Sequence, residues 1–182
     1  TTAGSGKGSP EPKIADLPLL TETERRQLLV EWNNKIAGDV QGDYDLEVCT
    51  QQLIEAQVQR TPEAVAVVCE DRRLTYRELN ARANQLARHL RSLGVGPDVF
   101  VGICVERSLE MIVGLMGIVK AGGAYLPIDP AYPEDRIAFI LTDSQTSILL
   151  TQDKLVKTLP SDQSHLVRLD RDWDLISVES EA

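Results

Sequence analysis

Apolar runs of strand length alternate with helical patterns in the second half of the chain, and this alternation restricts the fold more than any other feature. The runs lie at residues 100–105, 124–128, 147–151 and 165–169. Helical patterns occupy 111–119 and 133–141 between the first three runs, and the connections are short. A strand that crosses over through a helix to the next strand gives a right-handed, parallel arrangement. The sequence therefore predicts an α/β fold, with a mostly parallel sheet and flanking helices.

The first part of the chain has the composition of a tether. Residues 1–16 are rich in Gly, Ser and Pro, which predicts a flexible linker. Thr21 and Glu24 fit a capping box, so a short helix is expected from Glu22 to about Trp32. We therefore interpret residues 17–46 as an inter-domain connector that contains a short helix.

The α/β region is expected to occupy residues 47–182. Its first helix is predicted over 50–59, because a Thr-Pro pair follows and proline disfavours helical geometry in the residue before it. The apolar run 64–69 predicts a strand, and the charged residues 70–73 predict the turn that leaves it.

Two further helices carry strong signals. Thr75 and Glu78 form a capping box at the start of an amphipathic helix, which Gly94 ends. Its apolar residues recur on one face, at Leu79, Ala83, Leu86, Leu90 and Leu93. The helix over 111–119, which Ser108 can cap, is apolar nearly all round and is expected deep inside the protein.

Charge and hydropathy narrow the classes of function. The formal net charge is -9, and the Lys and Arg residues are spread over helices rather than gathered in one patch. This argues against a nucleic acid or an anionic membrane surface as partner. The most apolar window, 99–123, contains Glu106, Arg107 and Glu110, so it is too interrupted to cross a bilayer. We expect a cytoplasmic protein.

The cysteines and histidines form no recognised site pattern. Cys49, Cys69 and Cys104 are widely separated and lie in or beside apolar runs, which predicts buried thiols rather than a disulfide framework. His89 lies in a helical pattern and His165 begins a strand, and their spacing is not typical of metal ligands. No metal site is predicted.

Two motifs are similar to those of the adenylating enzyme superfamily, and more narrowly of nonribosomal peptide synthetase adenylation domains. Residues 74–79 (LTYREL) match the first core motif of those domains, and residues 120–129 (KAGGAYLPID) match the second. The following residues 130–136 (PAYPEDR) are also typical of the family. The two motifs occur in the expected order, each at the expected place relative to a helix.

Upstream segments extend the resemblance. Residues 17–24 (LPLLTETE), taken with Trp32-Asn33, resemble the connector between a condensation domain and the adenylation domain after it. Residues 60–67 (RTPEAVAV) resemble the start of the adenylation domain proper. The resemblance covers about residues 17–178, and it implies that 47–182 form the incomplete N-terminal portion of an adenylating-enzyme fold.

The resemblance implies a two-step reaction. An amino acid's carboxylate attacks ATP to give an aminoacyl-adenylate, which the phosphopantetheine thiol of a carrier protein then captures. ATP and Mg²⁺ are implied for the intact domain, and phosphopantetheine for a partner carrier domain. The implied partners are the rest of the adenylation domain, an upstream condensation domain and a downstream carrier domain.

No catalytic, cofactor-binding or metal-ligating residue is predicted within the chain itself. The family's phosphate loop, which ends in Pro-Lys-Gly, and its later motifs do not occur in this sequence. The segment is therefore expected to be scaffold, to hold no cofactor and to be inactive alone. Lys120, Asp129 and Arg136 are expected to make surface or turn contacts rather than to touch ATP, and Gly122 and Gly123 are expected to end a helix.

Two alternatives stay open. A piece of a fatty-acyl or acyl-CoA ligase would share the fold, but the connector at 17–32 argues against it. A noncatalytic interaction module derived from the same fold would also lack a phosphate loop.

Overall fold

The computed structural model describes residues 20–31, 48–160 and 164–181. The chain divides into two units, one containing 20–31 and the other containing 48–181. The predicted linker 1–16 and most of the predicted connector, including Trp32, lie outside the described residues.

The first unit is a short helix with a complete N-terminal cap. Helix α1 spans Glu22–Arg26, and a π-helical turn continues it over Gln27–Glu31. The backbone N–H of Glu24 donates to Thr21 Oγ1 at 3.3 Å, and the Thr21 N–H donates to the Glu24 carboxylate at 2.8 Å. The predicted capping box is confirmed, whereas the expected α-helix changes to π geometry after Arg26.

The second unit contains the strands and helices that the sequence predicts, with bounds shifted by a few residues, together with one strand and two short helices that it does not predict. In chain order they are α2 (Thr50–Arg60), β1 (Val65–Cys69), β2 (Arg72–Thr75), α3 (Tyr76–Ser92), β3 (Phe100–Ile103), α4 (Leu109–Ala121), β4 (Ala124–Pro127), α5 (Glu134–Asp143), β5 (Ile148–Thr151), a 3-10 helix (Asp153–Thr158), β6 (His165–Arg168) and α6 (Trp173–Ile176).

Strand β2 is not predicted by the sequence; the predicted turn at 70–73 is confirmed for residues 70 and 71, but residues 72 and 73 belong to this strand. Strands β1 and β2 form an antiparallel hairpin in which Cys69 pairs with Arg72. Glu70 makes the turn with a φ of 52°. Arg72 and Arg73 are both exposed, so β2 shows no apolar alternation that a sequence pattern could detect.

The other four strands form one parallel sheet in the order β4-β3-β5-β6. This confirms the predicted α/β fold with a mostly parallel sheet. Strand β3 is internal, as its continuous apolar run predicts, and Val101 pairs with Tyr125 of β4 and Ile148 of β5.

Helices cover both faces of the sheet and enclose two cores. One face packs on α3, α4 and α6; its larger core consists of Leu74, Leu79, Leu86, Ala87, Leu90, Val95, Val101, Ile103, Val105, Leu109, Val113, Ile118, Ala121, Ile148, Leu150, Val167, Leu169 and Ile176. The other face packs on α5; its smaller core consists of Cys104, Ile128, Ile137, Leu141, Leu149 and Leu159.

Helices α3 and α4 approach closely because Gly117 has no side chain. A Cβ at this position would lie 2.6 Å from Leu86 Cδ2 and 2.7 Å from Leu86 Cγ. Gly122 ends α4 with a φ of 95°, as predicted. Most of α4 is buried, as expected for a helix deep inside the protein, but Ile112 and Leu115 are only half-buried, so its cover is incomplete on one side.

Two side-chain amides on α3 hold the segment that follows α6. Gln85 Nε2 donates to the backbone carbonyls of Ser177 at 2.9 Å and Glu179 at 3.3 Å. Asn84 Nδ2 donates to the carbonyl of Glu181 at 2.7 Å. These bonds satisfy Gln85, a polar residue that is only 6% exposed. The amides therefore fix the backbone path over residues 177–181.

The cysteines differ in exposure. Cys104 is buried and Cys69 is half-buried, but Cys49 is exposed at the start of α2. The prediction of buried thiols is therefore wrong for Cys49. Over 20–31, 48–160 and 164–181, no helix has both the length and the apolar character that crossing a membrane requires.

Candidate functional site

The carboxyl ends of the four parallel strands meet at one edge of the sheet. Strands β4 and β5 lie on opposite sides of β3, so the connection that leaves β3 and the connection that leaves β5 run in opposite directions. Such a reversal opens a crevice beyond the strand ends, where open α/β sheets bind their ligands. This edge is the candidate functional site.

A cleft of about 640 Å³ lies at this edge. Its lining comes from the ends of β3 and β4, from α4 and from the loop after β4, and consists of Ile103, Val105, Glu106, Arg107, Met111, Leu115, Pro127, Ile128, Asp129, Pro130 and Tyr132. We name it the carboxyl-edge cleft. Its apolar walls carry charges at three positions only, which suits a ligand with an apolar body and a polar end.

The loop after β3 is held by strand β5 and the residues that follow it. The Cys104 N–H donates to the Leu150 carbonyl at 2.9 Å, and the Glu106 N–H donates to the Gln152 side-chain carbonyl at 3.0 Å. Lys154 makes an ion pair with the Glu106 carboxylate. Residues that follow β5 therefore fix the position of the loop after β3, which forms one wall of the cleft.

The loop after β4 is shaped by Asp129. Its carboxylate accepts a hydrogen bond from the Ala131 N–H at 2.9 Å, and its carbonyl accepts one from the Tyr132 N–H at 3.0 Å. An aspartate that bonds to the backbone two residues on makes an Asx turn. Asp129 therefore makes the turn contact that the sequence predicts.

Cys104 lies in the smaller core, next to the cleft, but its thiol is not activated. Burial, and secondarily the negative charge of Asp129, raise the pKa of the Cys104 thiol to about 11. A thiol with such a pKa is protonated at neutral pH, and the thiolate is the nucleophilic form. Cys104 therefore serves as an apolar core residue.

The other residues named from the second motif lie away from the cleft. The Lys120 side chain is 5% exposed and pairs with the Glu55 carboxylate of α2, so the expected surface contact is wrong for this residue. A buried lysine needs such a partner. The Arg136 guanidinium carbon lies 5.6 Å from the Phe139 ring centroid. Across the described ranges, no group of three or more His, Cys, Asp or Glu side chains is placed to hold a metal ion.

Sequence patterns single out neither Glu106 nor Gln152. Both follow the carboxyl ends of parallel strands, and that position is the signal that locates them. Their hydrogen bond joins residues 46 positions apart, which no local pattern predicts.

The family model described as AMP-binding enzyme matches residues 54–181. The match covers nearly all of the second unit, including the hairpin, the sheet and the carboxyl-edge cleft. The chain belongs to the AMP-binding enzyme family.

The curated relatives are peptide synthetases. The chain is 54% identical over 173 residues to one of the subunits of linear gramicidin synthase from Brevibacillus parabrevis, which is 95% of this chain and 3% of that protein. It is 53% identical over 151 residues to one of the subunits of mycosubtilin synthase from Bacillus subtilis, which is 83% of this chain and 6% of that protein. The chain thus spans a small part of the length of these relatives.

Solved structures of nonribosomal peptide synthetases share the fold. FmoA3 in its α-methyl-L-serine-AMP bound form is 40% identical with a TM-score of 0.68, over 74% of this chain and 15% of that chain. The Klebsiella oxytoca NpsA N-terminal subdomain in complex with 3-hydroxybenzoyl-AMSN is 26% identical with a TM-score of 0.63, over 73% and 32%. These likenesses confirm the predicted resemblance to the N-terminal portion of an adenylation domain.

Proposed function

We propose that this chain is the N-terminal scaffold of an amino-acid-activating adenylation domain in a nonribosomal peptide synthetase module. The observation that carries the proposal is the extent of the match to the linear gramicidin synthase of Brevibacillus parabrevis. A match of 173 residues at 54% identity must include residues ahead of position 54, where the AMP-binding family match begins. Similarity in that upstream connector favours a peptide synthetase over an acyl-CoA ligase.

The parent protein activates an amino acid in two steps under this proposal. The carboxylate attacks the α-phosphorus of ATP and pyrophosphate leaves, which gives the aminoacyl-adenylate. The phosphopantetheine thiol of a carrier domain then attacks the carbonyl carbon, and AMP leaves. Mg²⁺ would neutralise charge that develops on the phosphates. The aminoacyl-AMP compound named for the FmoA3 structure supports the first step.

The 182-residue segment contributes framework rather than catalytic groups. Residues 1–16 are the linker, residues 17–46 join an upstream condensation domain, and residues 47–182 form the start of the adenylation domain. A downstream carrier domain completes the module in the cytoplasm. The artificially fused adenylation-PCP di-domain of NpsA, 26% identical with a TM-score of 0.63, supports a carrier partner.

Exchange of labelled pyrophosphate into ATP tests this proposal. The 182-residue chain should give no amino-acid-dependent exchange, whereas the complete adenylation domain of the parent protein should give exchange with one amino acid or a few related ones. Robust exchange by the short chain would contradict its role as scaffold. Exchange by the complete domain with fatty acids instead of amino acids would identify an acyl-CoA ligase.

A further inference from the structure

Strand β4 forms one edge of the parallel sheet, and among the described residues no strand pairs with its outer side. The Ala124 N–H donates to the Val99 carbonyl at 2.9 Å, so the backbone groups of Ala124 point toward β3. Successive residues of a strand direct their backbone groups to opposite sides, and Tyr125 therefore directs its N–H and carbonyl outward. The Pro127 carbonyl points the same way, although proline provides no N–H. This edge therefore offers hydrogen bonds to another strand.

The two edges of the sheet differ in charge. Strand β4 contains no charged residue, whereas β6 ends at Arg168, which pairs with Asp172 and Asp153. Proteins commonly place charged side chains on edges that remain exposed, because an uncharged edge invites pairing with another chain. Pro127 is the last residue of β4, so its missing N–H removes a bond only at the end of the strand. The β4 edge therefore suits an added strand better than the β6 edge.

An apolar stripe on α4 lies beside the β4 edge. Met111, Leu115 and Val119 follow one another at four-residue intervals, and each is half-buried. They lie on the side of α4 away from α3, because Gly117, two residues after Leu115, faces α3. Met111 and Leu115 also line the carboxyl-edge cleft together with Pro127, so the stripe is on the β4 side. We name this stripe and the outward edge of β4 together the β4 surface.

The Tyr125 side chain extends the apolar part of the β4 surface. Tyr125 pairs with Val101, which is buried in the larger core, so its ring lies on the same face of the sheet as α4. The residue is 49% exposed. A strand placed outside β4 would cover both this ring and the stripe on α4.

The handedness of the fold favours a strand at this position. The connection from β3 to β4 passes through α4 on the larger-core face, and α6 follows β6 on that same face. Crossovers between parallel strands are right-handed, so a crossover on this face that starts from β6 runs in the direction from β3 to β4. Among the described strands, the first free position in that direction is beyond β4.

We propose that a β-strand from the following part of the adenylation domain adds to β4 in parallel and that its apolar side chains cover the stripe on α4. The inference rests on the proposed function. The chain matches only 32% of the NpsA N-terminal subdomain, so a domain of this kind has further residues that can supply the strand. The strand accepts a hydrogen bond from the Tyr125 N–H and donates to the Tyr125 and Pro127 carbonyls.

Hydrogen exchange of single amides in the complete adenylation domain of the parent protein tests the proposal. The Tyr125 N–H should exchange about 100-fold more slowly there than in the 182-residue chain, because the added strand accepts its hydrogen bond. The Ala124 N–H, which already donates to Val99, is the internal control and should exchange slowly in both proteins. Mass spectrometry with electron-transfer fragmentation resolves the two amides.

The complete domain by itself decides the outcome. If its Tyr125 amide exchanges as fast as in an unfolded chain while its Ala124 amide is slow, the proposal is wrong. Protection of Tyr125 that appears only at high protein concentration would identify a second copy as the occupant and would also overturn the proposal. Pyrophosphate exchange separates the two proposals, because a complete domain that activates an amino acid but leaves Tyr125 unprotected keeps the proposed function and excludes the added strand.

A pair of leucine variants of the complete domain tests the apolar cover. Leu115→Ala should speed exchange of the Tyr125 amide about tenfold, because the added strand loses part of its packing on α4. Leu53→Ala is the matched control, since Leu53 is an exposed leucine of α2 that is not part of the β4 surface. It should leave the Tyr125 exchange rate unchanged, and equal rates in the two variants would overturn the assigned contact with the stripe.

Discussion

The two faces of the parallel sheet are stabilised in different ways. The larger core joins one face to α3, α4 and α6, whereas α5 is the main cover of the smaller core. The first turns of the helices differ too. Thr75 and Ser108 cap α3 and α4 with their hydroxyl groups, but the N-cap residue of α5 is Pro133, which provides no side-chain acceptor. The stability of the second unit should therefore reside mainly in the larger-core face, while the smaller-core face can adjust.

Truncating one buried leucine in each core should give the largest difference. Leu86→Ala should destabilise by about 3 to 5 kcal/mol and Leu141→Ala by about 2 to 3 kcal/mol, within the range for buried leucines. Both side chains are 2% exposed or less, so the difference comes from how far each site can close the cavity. Leu86 lies directly against Gly117 of α4, whereas we expect α5, which lacks a side-chain cap, to shift toward the cavity. Urea unfolding measures both losses, and equal values would contradict the comparison.

Adding one methyl group to a glycine in each core should give a smaller difference. Gly117→Ala places Cβ within 3.0 Å of Leu86 Cβ, Cγ and Cδ2, so it should cost about 1 to 3 kcal/mol although alanine favours the helix by about 1 kcal/mol. Gly102→Ala meets Leu149 Cδ1 at 2.7 Å, which is the movable end of a side chain. Its cost should be about 1 kcal/mol or less. Thermal unfolding that ranks the two variants in reverse would show that the smaller core is the rigid one.

Changing a helix cap on each face should have the smallest effect. Thr75→Ala removes the hydroxyl that accepts from the Glu78 N–H at 3.2 Å and should cost about 1 kcal/mol. Pro133→Ser supplies the hydroxyl that α5 lacks, and it should give a gain smaller than that loss. Denaturant midpoints compare the variants, and a loss of stability with Pro133→Ser would show that the proline matters more than the missing cap.

The cap on α3 should also make stability depend on pH. Hydrogen bonds from the Thr75 backbone N–H and hydroxyl lower the pKa of Glu78. A folded-state pKa below the unfolded value gives stability that is present above the unfolded pKa and is lost as the pH falls through the folded pKa. The difference in unfolding free energy between the natural chain and Thr75→Ala should therefore shrink in acid. A difference that stays constant with pH would rule out this contribution.

The sequence predicts the larger-core face well because its signals are local. The apolar face of α3, the Thr75 cap and the Gly122 stop all depend on residues a few positions apart. The sequence does not predict strand β2 because Arg72 and Arg73 are exposed and show no apolar pattern. The strand forms because its backbone pairs with β1. Pairing between segments overrides local propensity in such hairpins.

The candidate site is predictable in position but not in detail. The alternation of strands and helices already indicates a crevice at the carboxyl ends of the strands. The bond between Gln152 and Glu106, and the burial of Lys120 against Glu55, join distant residues and depend on how helices and strands pack. Charge and polarity alone predict that lysine and glutamine side chains are exposed to solvent. The sequence therefore predicts neither the bond between Gln152 and Glu106 nor the burial of Lys120.

The hydrogen bonds from the Asn84 and Gln85 side-chain amides should constrain the sequence of α3 more than that of the segment after α6. The amides bind backbone carbonyls of residues 177, 179 and 181, and every amino acid provides the same carbonyl. The side chains of that segment can therefore vary among related domains while its path is kept. We therefore expect conservation at the two amide positions of α3 instead, roughly ninety residues earlier in the chain. Engineers who exchange domain segments should therefore keep α3 and the segment after α6 from the same parent, or retain both amides in the graft.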